Sequence, residues 1–239
     1  MKTQAKQDTI EMVARTQDGV ETSLTIGAHV SLQAMCETPK FPDLLRLTLS
    51  RSLSWQARNE NTLIRVVQSP NLAPQFVAAL LAWGAQAIFG EEQGLLGEYL
   101  LRTLLHDGPL SAIRVLVDVP GRVWGESHVA RTPADEPIVA AIAVVDLGDD
   151  PSGEVHHVVR QARLALTGAW REHARLAESA SLLLANTLSD DRIRQVAAAV
   201  EREVLPRDDF LGSADYRRSM AAVLTRRALG NCMKGANQV

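Results

Sequence analysis

The chain is poor in cysteine, in aromatic residues and in net charge, and each shortage removes a class of function. Cys36 and Cys232 are its only cysteines among 239 residues, and they stand far apart. No CxxC pair exists, so the residues offer no thiolate set for a zinc ribbon or an iron–sulfur cluster. Two thiols make no disulfide framework either, and a reducing cytoplasm is the compartment they predict. The formal net charge is only −3, which excludes a global basic field for nucleic acid or anionic membrane. The long apolar run near mid-chain, Phe76 to Trp83, falls far short of a membrane span. The start, Met1 to Thr9, is polar and lacks the apolar stretch of a signal peptide. Aromatic residues make up 4% of the chain; Trp55, Trp83, Trp124 and Trp170 share no spacing, which favours separate core or interface anchors.

What is present suits a globular protein. Hydrophobic residues are 46% and charged residues 22%, enough for one large core or two small ones. Two textures meet near the turn dipeptide Pro120-Gly121, predicting domains at 1–120 and 121–239. In the first, Thr9–Arg15 and Ser23–Ala28 read as strands around the break Gln17-Asp18-Gly19. Ser31–Cys36 and Pro42–Ser54 read as helices, Thr62–Gln68 as a β-branched strand, Ala73–Trp83 as a buried helix. Gln86–Phe89 and Ala112–Val119 are expected strands. In the second, Glu136–Leu147 reads as a deeply packed strand, paired antiparallel with Glu154–Leu166 across a glycine-rich turn at 148–153. Three helices are then predicted: Arg171–Leu184, one capped by Ser189 or Asp190, and a last one starting near Ser213 with Tyr216, Met220, Val223 and Leu224 on one face.

Few residues invite chemistry. His156-His157 lies in a predicted strand, so the two rings point to opposite faces and cannot share a metal. His29, His106, His128 and His173 have no partner at a metal spacing. Cys36 follows His29 by seven residues, a weak hint of a Cys–His pair against the default of a half-buried thiol. Gly125–His128 holds a serine and a histidine without the GxSxG elbow. No catalytic residue and no metal ligand is therefore assigned. On the last helix, at about 100° per residue, Arg217, Arg218 and Arg226 spread around the axis instead of forming one phosphate stripe. Arg227 returns to the apolar face, where pairing with Asp208 or Asp209 is expected.

Several segments resemble one family. Arg131–Val139 (RTPADEPIV), Ala165–Ala169 (ALTGA), Leu205–Met220 (LPRDDFLGSADYRRSM) and Val223–Leu229 (VLTRRAL) are similar, in order, to the C-terminal domain of molybdenum-hydroxylase flavoprotein subunits. Leu24–Ala28 (LTIGA), Phe41–Leu44 (FPDL), Ala57–Val66 (ARNENTLIRV), Ser69-Pro70 and Ala79–Ala85 (ALLAWGA) resemble the second subdomain of the FAD-binding module of the same subunits. Together these segments span most of the chain. The family is that of the xanthine dehydrogenase and carbon-monoxide dehydrogenase FAD-binding (medium) subunits. What the resemblance implies is FAD that takes electrons from iron–sulfur clusters in one partner subunit, with a molybdenum cofactor in another.

The departures from that pattern concern the cofactor. The family segment IRNxATIGGN carries two glycines that let the backbone approach the FAD diphosphate and expose its amides. Here those positions are Ile64 and Arg65, and the asparagine is Val66. A bulky residue in a glycine-only conformation costs about 1–3 kcal/mol. The acidic residue after Ser69-Pro70 is replaced by Asn71, and the residues before Leu24 are too few for the family's first glycine-rich subdomain. The positions matching the cofactor loop are thus Arg58, Asn59, Thr62, Ile64, Arg65 and Ser69. Arg65 could grip a diphosphate directly; a solvent-facing role is favoured, because charge does not restore backbone room.

The expected fold is α+β: a truncated FAD-binding (PCMH-like) subdomain, then a small antiparallel sheet of three or four strands covered by three helices. The expected function is a cytoplasmic, non-catalytic interaction or assembly component that has lost FAD. The alternative is an FAD-binding electron-transfer subunit of an oxidoreductase complex. Partners would be iron–sulfur and molybdenum-cofactor subunits or further copies of the chain, with neither nucleic acid nor membrane. A vacated cofactor cleft serving another small ligand is a third, weaker expectation.

Overall fold

Strand Ile10–Thr16 (β1) pairs antiparallel with Val20–Gly27 (β2), as the alternating pattern of this stretch predicts. A computed structural model describes residues 8–16, 20–90, 92–102, 110–132, 135–149, 158–171 and 173–236. The Gln17–Gly19 break, the tip of the 148–153 turn, His106 and His156-His157 lie outside the described residues. The chain divides into two units, Met1–Val119 and Pro120–Val239.

In the first unit a helical segment is inserted between β2 and the rest of its sheet. It holds Leu32–Glu37 (α1), Asp43–Ser52 (α2), Trp55–Glu60 (α3), Leu63–Gln68 (α4) and Pro74–Trp83 (α5). Ser31 and Ser54 accept hydrogen bonds from the amides of Ala34 and Ala57, capping α1 and α3. All ten residues of α5 are buried, as expected of a helix apolar all round. Its end is dictated by Gly84: at φ 81° it takes the left-handed conformation that closes the helix, with Gly84 N donating to Leu81 O and Ala85 N to Leu80 O. Strands Gln86–Phe89 (β3) and Glu92–Leu95 (β4) form a hairpin, Leu96–Arg102 is a helix (α6), and Ala112–Val117 (β5) returns between β2 and β3. The sheet order is β1-β2-β5-β3-β4. Leu24 and Ile26 of β2, Ile113 and Val115 of β5 and Ala87 of β3 are fully buried on its central strands.

The expected strand at Thr62–Gln68 is instead helix α4. Leu63, Val66 and Val67 are the buried residues, a spacing of three and four that belongs to a helix face. The β-branched content outweighed this periodicity in the sequence reading, and tertiary context overrode the propensity.

The second unit has the antiparallel order β6-β7-β8-β9, built from Arg122–Val129, Val139–Gly148, Val158–Thr167 and Arg175–Leu176. One face of β7 supplies Val139, Ala141, Ala143 and Val145 to a core shared with helices Asp190–Glu203 (α7) and Ala214–Ala236 (α8). Ala140, Ile142 and Val144, which point the other way, are buried as well. The strand β6 was not foreseen. Nor was the form of 171–184: in place of a helix there is the short β9 followed by a 3-10 turn at Glu178–Leu183. Within that turn Ala180 and Leu183 are the buried residues, three apart as the repeat of a 3-10 helix requires. The sheet is therefore covered by two α-helices and this turn.

Helix α8 buries part of the expected face, since Met220 packs against the core and Leu224 lies in it. Tyr216 and Val223 are exposed, while Arg217, Ala221, Leu224, Thr225, Ala228, Leu229 and Cys232 are buried. Small side chains allow the close approach: a Cβ on Gly125 of β6 would lie 2.1 Å from Ala228 O.

Candidate functional site

Thr62 fixes the segment that matches the cofactor loop. Its backbone forms an isolated antiparallel bridge with Ser31, and α4 starts from it. Pairing at this point engages the main chain in both directions. Leu63 N donates to Val30 O at 3.1 Å, Ile64 N to Ala28 O at 2.8 Å, and Leu32 N to Asn61 O at 3.0 Å. Leu63 is buried, Ile64 half-buried, and Arg65 and Ser69 are exposed. Ser69 ends α4, its amide donating to Arg65 O at 2.9 Å. Thr62, Ile64, Arg65 and Ser69 thus sit along one short helix.

Arg58 and Asn59 lie on the preceding helix, and both are committed to the local structure. The Arg58 Nε donates to Gln33 Oε1 at 2.8 Å, and its Nη1 to Leu53 O at 2.6 Å and Ser50 O at 3.4 Å. It ties α1 to the end of α2. Asn59 Nδ2 donates to Trp55 O at 2.9 Å within its own helix. Nearby, Arg46 gathers the carbonyls of Cys36, Thr38 and Phe41. Cys36 faces the Ser50 hydroxyl at 4.0 Å, not His29, which is exposed. Burial pushes the Cys36 thiol up, against opposing pulls from the Ser50 hydrogen bond and the charges of Arg58 and Arg46.

The second unit concentrates its ionic chemistry in buried arginines that the sequence reading missed. Arg122 grips Asp146 through two bonds of 2.6 and 2.8 Å, with the Arg122 side chain 4% exposed. Beside them, burial and the charge of Arg122 lower the pKa of Arg163, while Asp146 opposes the shift. Asp209 pairs with Arg217 at 2.6 Å, not with Arg227, which is exposed. The expected pairing picked the right acid and the wrong arginine. The helix-face error above is the reason, since it turned Arg217 outward. His128 Nδ1 lies 3.3 Å from Glu126 Oε2. Ser127 and His128, adjacent on β6, project to opposite sides of the sheet. Among the described residues no group of three or more His, Cys, Asp or Glu is placed to hold a metal ion. No described helix is long and apolar enough to cross a membrane. Trp55 is 64% exposed, Trp83 donates to Leu116 O at 2.6 Å, and Trp170 packs under the Arg175 guanidinium at 5.0 Å.

The resemblance to the FAD-binding subunits of molybdenum hydroxylases read from the sequence is borne out by the fold and by a match over the second unit. The model of the CO dehydrogenase flavoprotein C-terminal domain matches residues 127–232. Among solved structures, carbon monoxide dehydrogenase from Hydrogenophaga pseudoflava superposes with a TM-score of 0.77 at 22% identity, over 96% of this chain and 79% of that one. Quinoline 2-oxidoreductase from Pseudomonas putida 86 does so with a TM-score of 0.73 at 19% identity, over 97% and 80%. These identities speak for the fold alone. The uncharacterized protein YgfM of Escherichia coli (strain K12) is 25% identical over 218 residues, 90% of this chain and 75% of its own length.

Proposed function

We propose that this chain is a non-catalytic interaction or assembly component derived from a molybdenum-hydroxylase flavoprotein subunit, and that it does not hold FAD. The observation that carries this reading is the hydrogen bonding of residues 62–64. A backbone cradle for a diphosphate needs amides that point outward without partners. The amides of Leu63 and Ile64 already donate to Val30 and Ala28. Ile64 and Arg65 place side chains where the family pattern has glycine. The residues present do not fit the cofactor, so no electron-transfer step is derived through it. Partners in this reading are the iron–sulfur and molybdenum-cofactor subunits of a hydroxylase complex, or a second copy of the chain.

The visible spectrum of the purified protein, incubated with excess FAD and desalted, tests the reading. No retained absorbance near the flavin bands is expected. Stoichiometric flavin would overturn it in favour of an electron-transfer subunit. Co-purification and light scattering then address the partner: association with hydroxylase subunits or a defined homo-oligomer is expected, and a strict monomer without partners counts against an assembly role.

A further inference from the structure

A groove of about 410 Å³ runs between α7 and α8, and its lining includes none of the six cofactor-loop positions. Arg194 of α7 and Arg226, Arg227 and Lys234 of α8 line it, with Ile193 and Gly230 between them. One carboxylate, Asp190, shares the lining, and so does Asn231, whose amide is anchored on Glu126 O at 3.2 Å. Four cations therefore converge on a single concavity in a chain whose net charge is −3. Arg194 is paired with Asp191; Arg226, Arg227 and Lys234 have no ion pair among the described residues. At helical spacing the arginines of α8 fall around its axis, and α7 encloses two of them together with Lys234.

Gly230 supplies an independent observation. It lies inside the 23-residue helix α8, where glycine is a poor choice. Packing does not demand it: a Cβ built there meets nothing within 4 Å. That contrasts with Gly125, where a Cβ is sterically excluded. What the missing side chain at Gly230 does is leave the wall of the groove bare, beside the buried Ile193.

We propose that this groove is a binding site for a nucleoside di- or triphosphate. Guanidinium forks suit phosphate oxygens, and Arg226 and Arg227 with Lys234 supply the charge that two or three phosphates require. The bare wall at Gly230 accepts the flat apolar part. Asp190 disfavours a ligand that is anionic throughout and accepts a hydrogen bond from a sugar hydroxyl or an amino group. The volume is within the range of about 300–1,000 Å³ usual for small-ligand sites.

Calorimetric titration of the full chain with ATP, ADP, tripolyphosphate and adenosine tests this. Saturable 1:1 binding of ATP and ADP is expected, with adenosine weaker by at least about tenfold and added salt weakening the nucleotides. The double variant Arg226→Ala/Arg227→Ala loses at least about tenfold in affinity. Gly230→Leu fills the groove and abolishes binding, while its thermal midpoint stays level or rises, because leucine is the better helix former. Absence of saturable nucleotide binding overturns the proposal, as does binding that survives Gly230→Leu. Tripolyphosphate binding as tightly as ATP reduces the site to an unspecific anion patch. If an acidic peptide binds through these arginines and nucleotides do not, the groove is a protein-docking site instead.

Discussion

An arginine only 5% exposed has to find acceptors inside the protein, and Arg217 finds them on three segments. Its Nη1 donates to Ile138 O at 2.6 Å, just before β7, and to Gly168 O at 3.0 Å, just after β8. Its Nη2 reaches Asp209 in the loop before α8. Arg217→Ala leaves two carbonyls and a carboxylate without their donor, and a loss of about 3 kcal/mol is expected in chemical denaturation. Arg217→Lys keeps the charge but has no planar fork, so it rescues only part of the loss. The same pair sets a pH dependence. The hydrogen bond from Arg217 holds the Asp209 carboxyl below its ordinary value of 3.8. The unfolded chain therefore binds a proton at higher pH than the native one. The stability from this group is fully present above the unfolded value and lost as pH falls through the lower, folded one. In thermal melts taken from neutral pH into that acid range, the wild type loses this component. Asp209→Asn, less stable at neutral pH, shows a flatter acid profile; parallel profiles would refute the linkage.

At the scale of elements, the second unit depends on how closely α8 lies on β6 and β7. A Cβ at Gly125 meets Ala228 O at 2.1 Å and Asn231 Cβ at 2.8 Å, neither of which can swing away without moving the helix. Gly125→Ala is expected to cost about 1–3 kcal/mol, in urea unfolding, with the helix pushed outward. An unchanged midpoint would mean that the helix is not seated there. Helix α5 was legible in the sequence because its apolar run and Gly84 agree, the one giving burial and the other a left-handed terminus. Helix α4 was not, since six residues with three β-branched side chains carry a strand-like propensity. Only the bridge of Thr62 to Ser31, a contact between distant residues, starts it as a helix. The buried face of α8 was missed for a related reason. Apolar size guided the assignment towards Tyr216 and Val223, which are exposed, whereas the alanines of β7 select alanine and cysteine beside Met220 and Leu224 at the contact. Cys232, its thiol pushed up to about 12 by burial, packs there against Ala143 O at 3.7 Å. The six cofactor-loop positions were legible only as a resemblance; that Arg58 and Asn59 serve local contacts depends on the packing of α1, α2 and α3.

At the scale of the whole molecule, the cofactor question becomes one of linkage. A ligand that binds only the native state raises the stability of the whole chain, whichever residues hold it. At a hundred times its dissociation constant FAD would add about 2.7 kcal/mol, which for a chain of this size is a rise of several degrees in the thermal midpoint. With the amides of Leu63 and Ile64 already paired, no such rise is expected when FAD is added in excess. Arg65→Ala keeps the test sharp. Arg65 is exposed on its helix, so its loss leaves the stability without ligand within about 0.5 kcal/mol of the wild type. If FAD does raise the wild-type midpoint and the rise vanishes in Arg65→Ala, the guanidinium makes the phosphate contact that the family pattern assigns to glycine amides. The electron-transfer reading would then replace the one proposed. If ATP raises the midpoint while FAD does not, and Gly230→Leu removes the effect, the ligand lies in the groove of the second unit, and the two conclusions stand or fall separately.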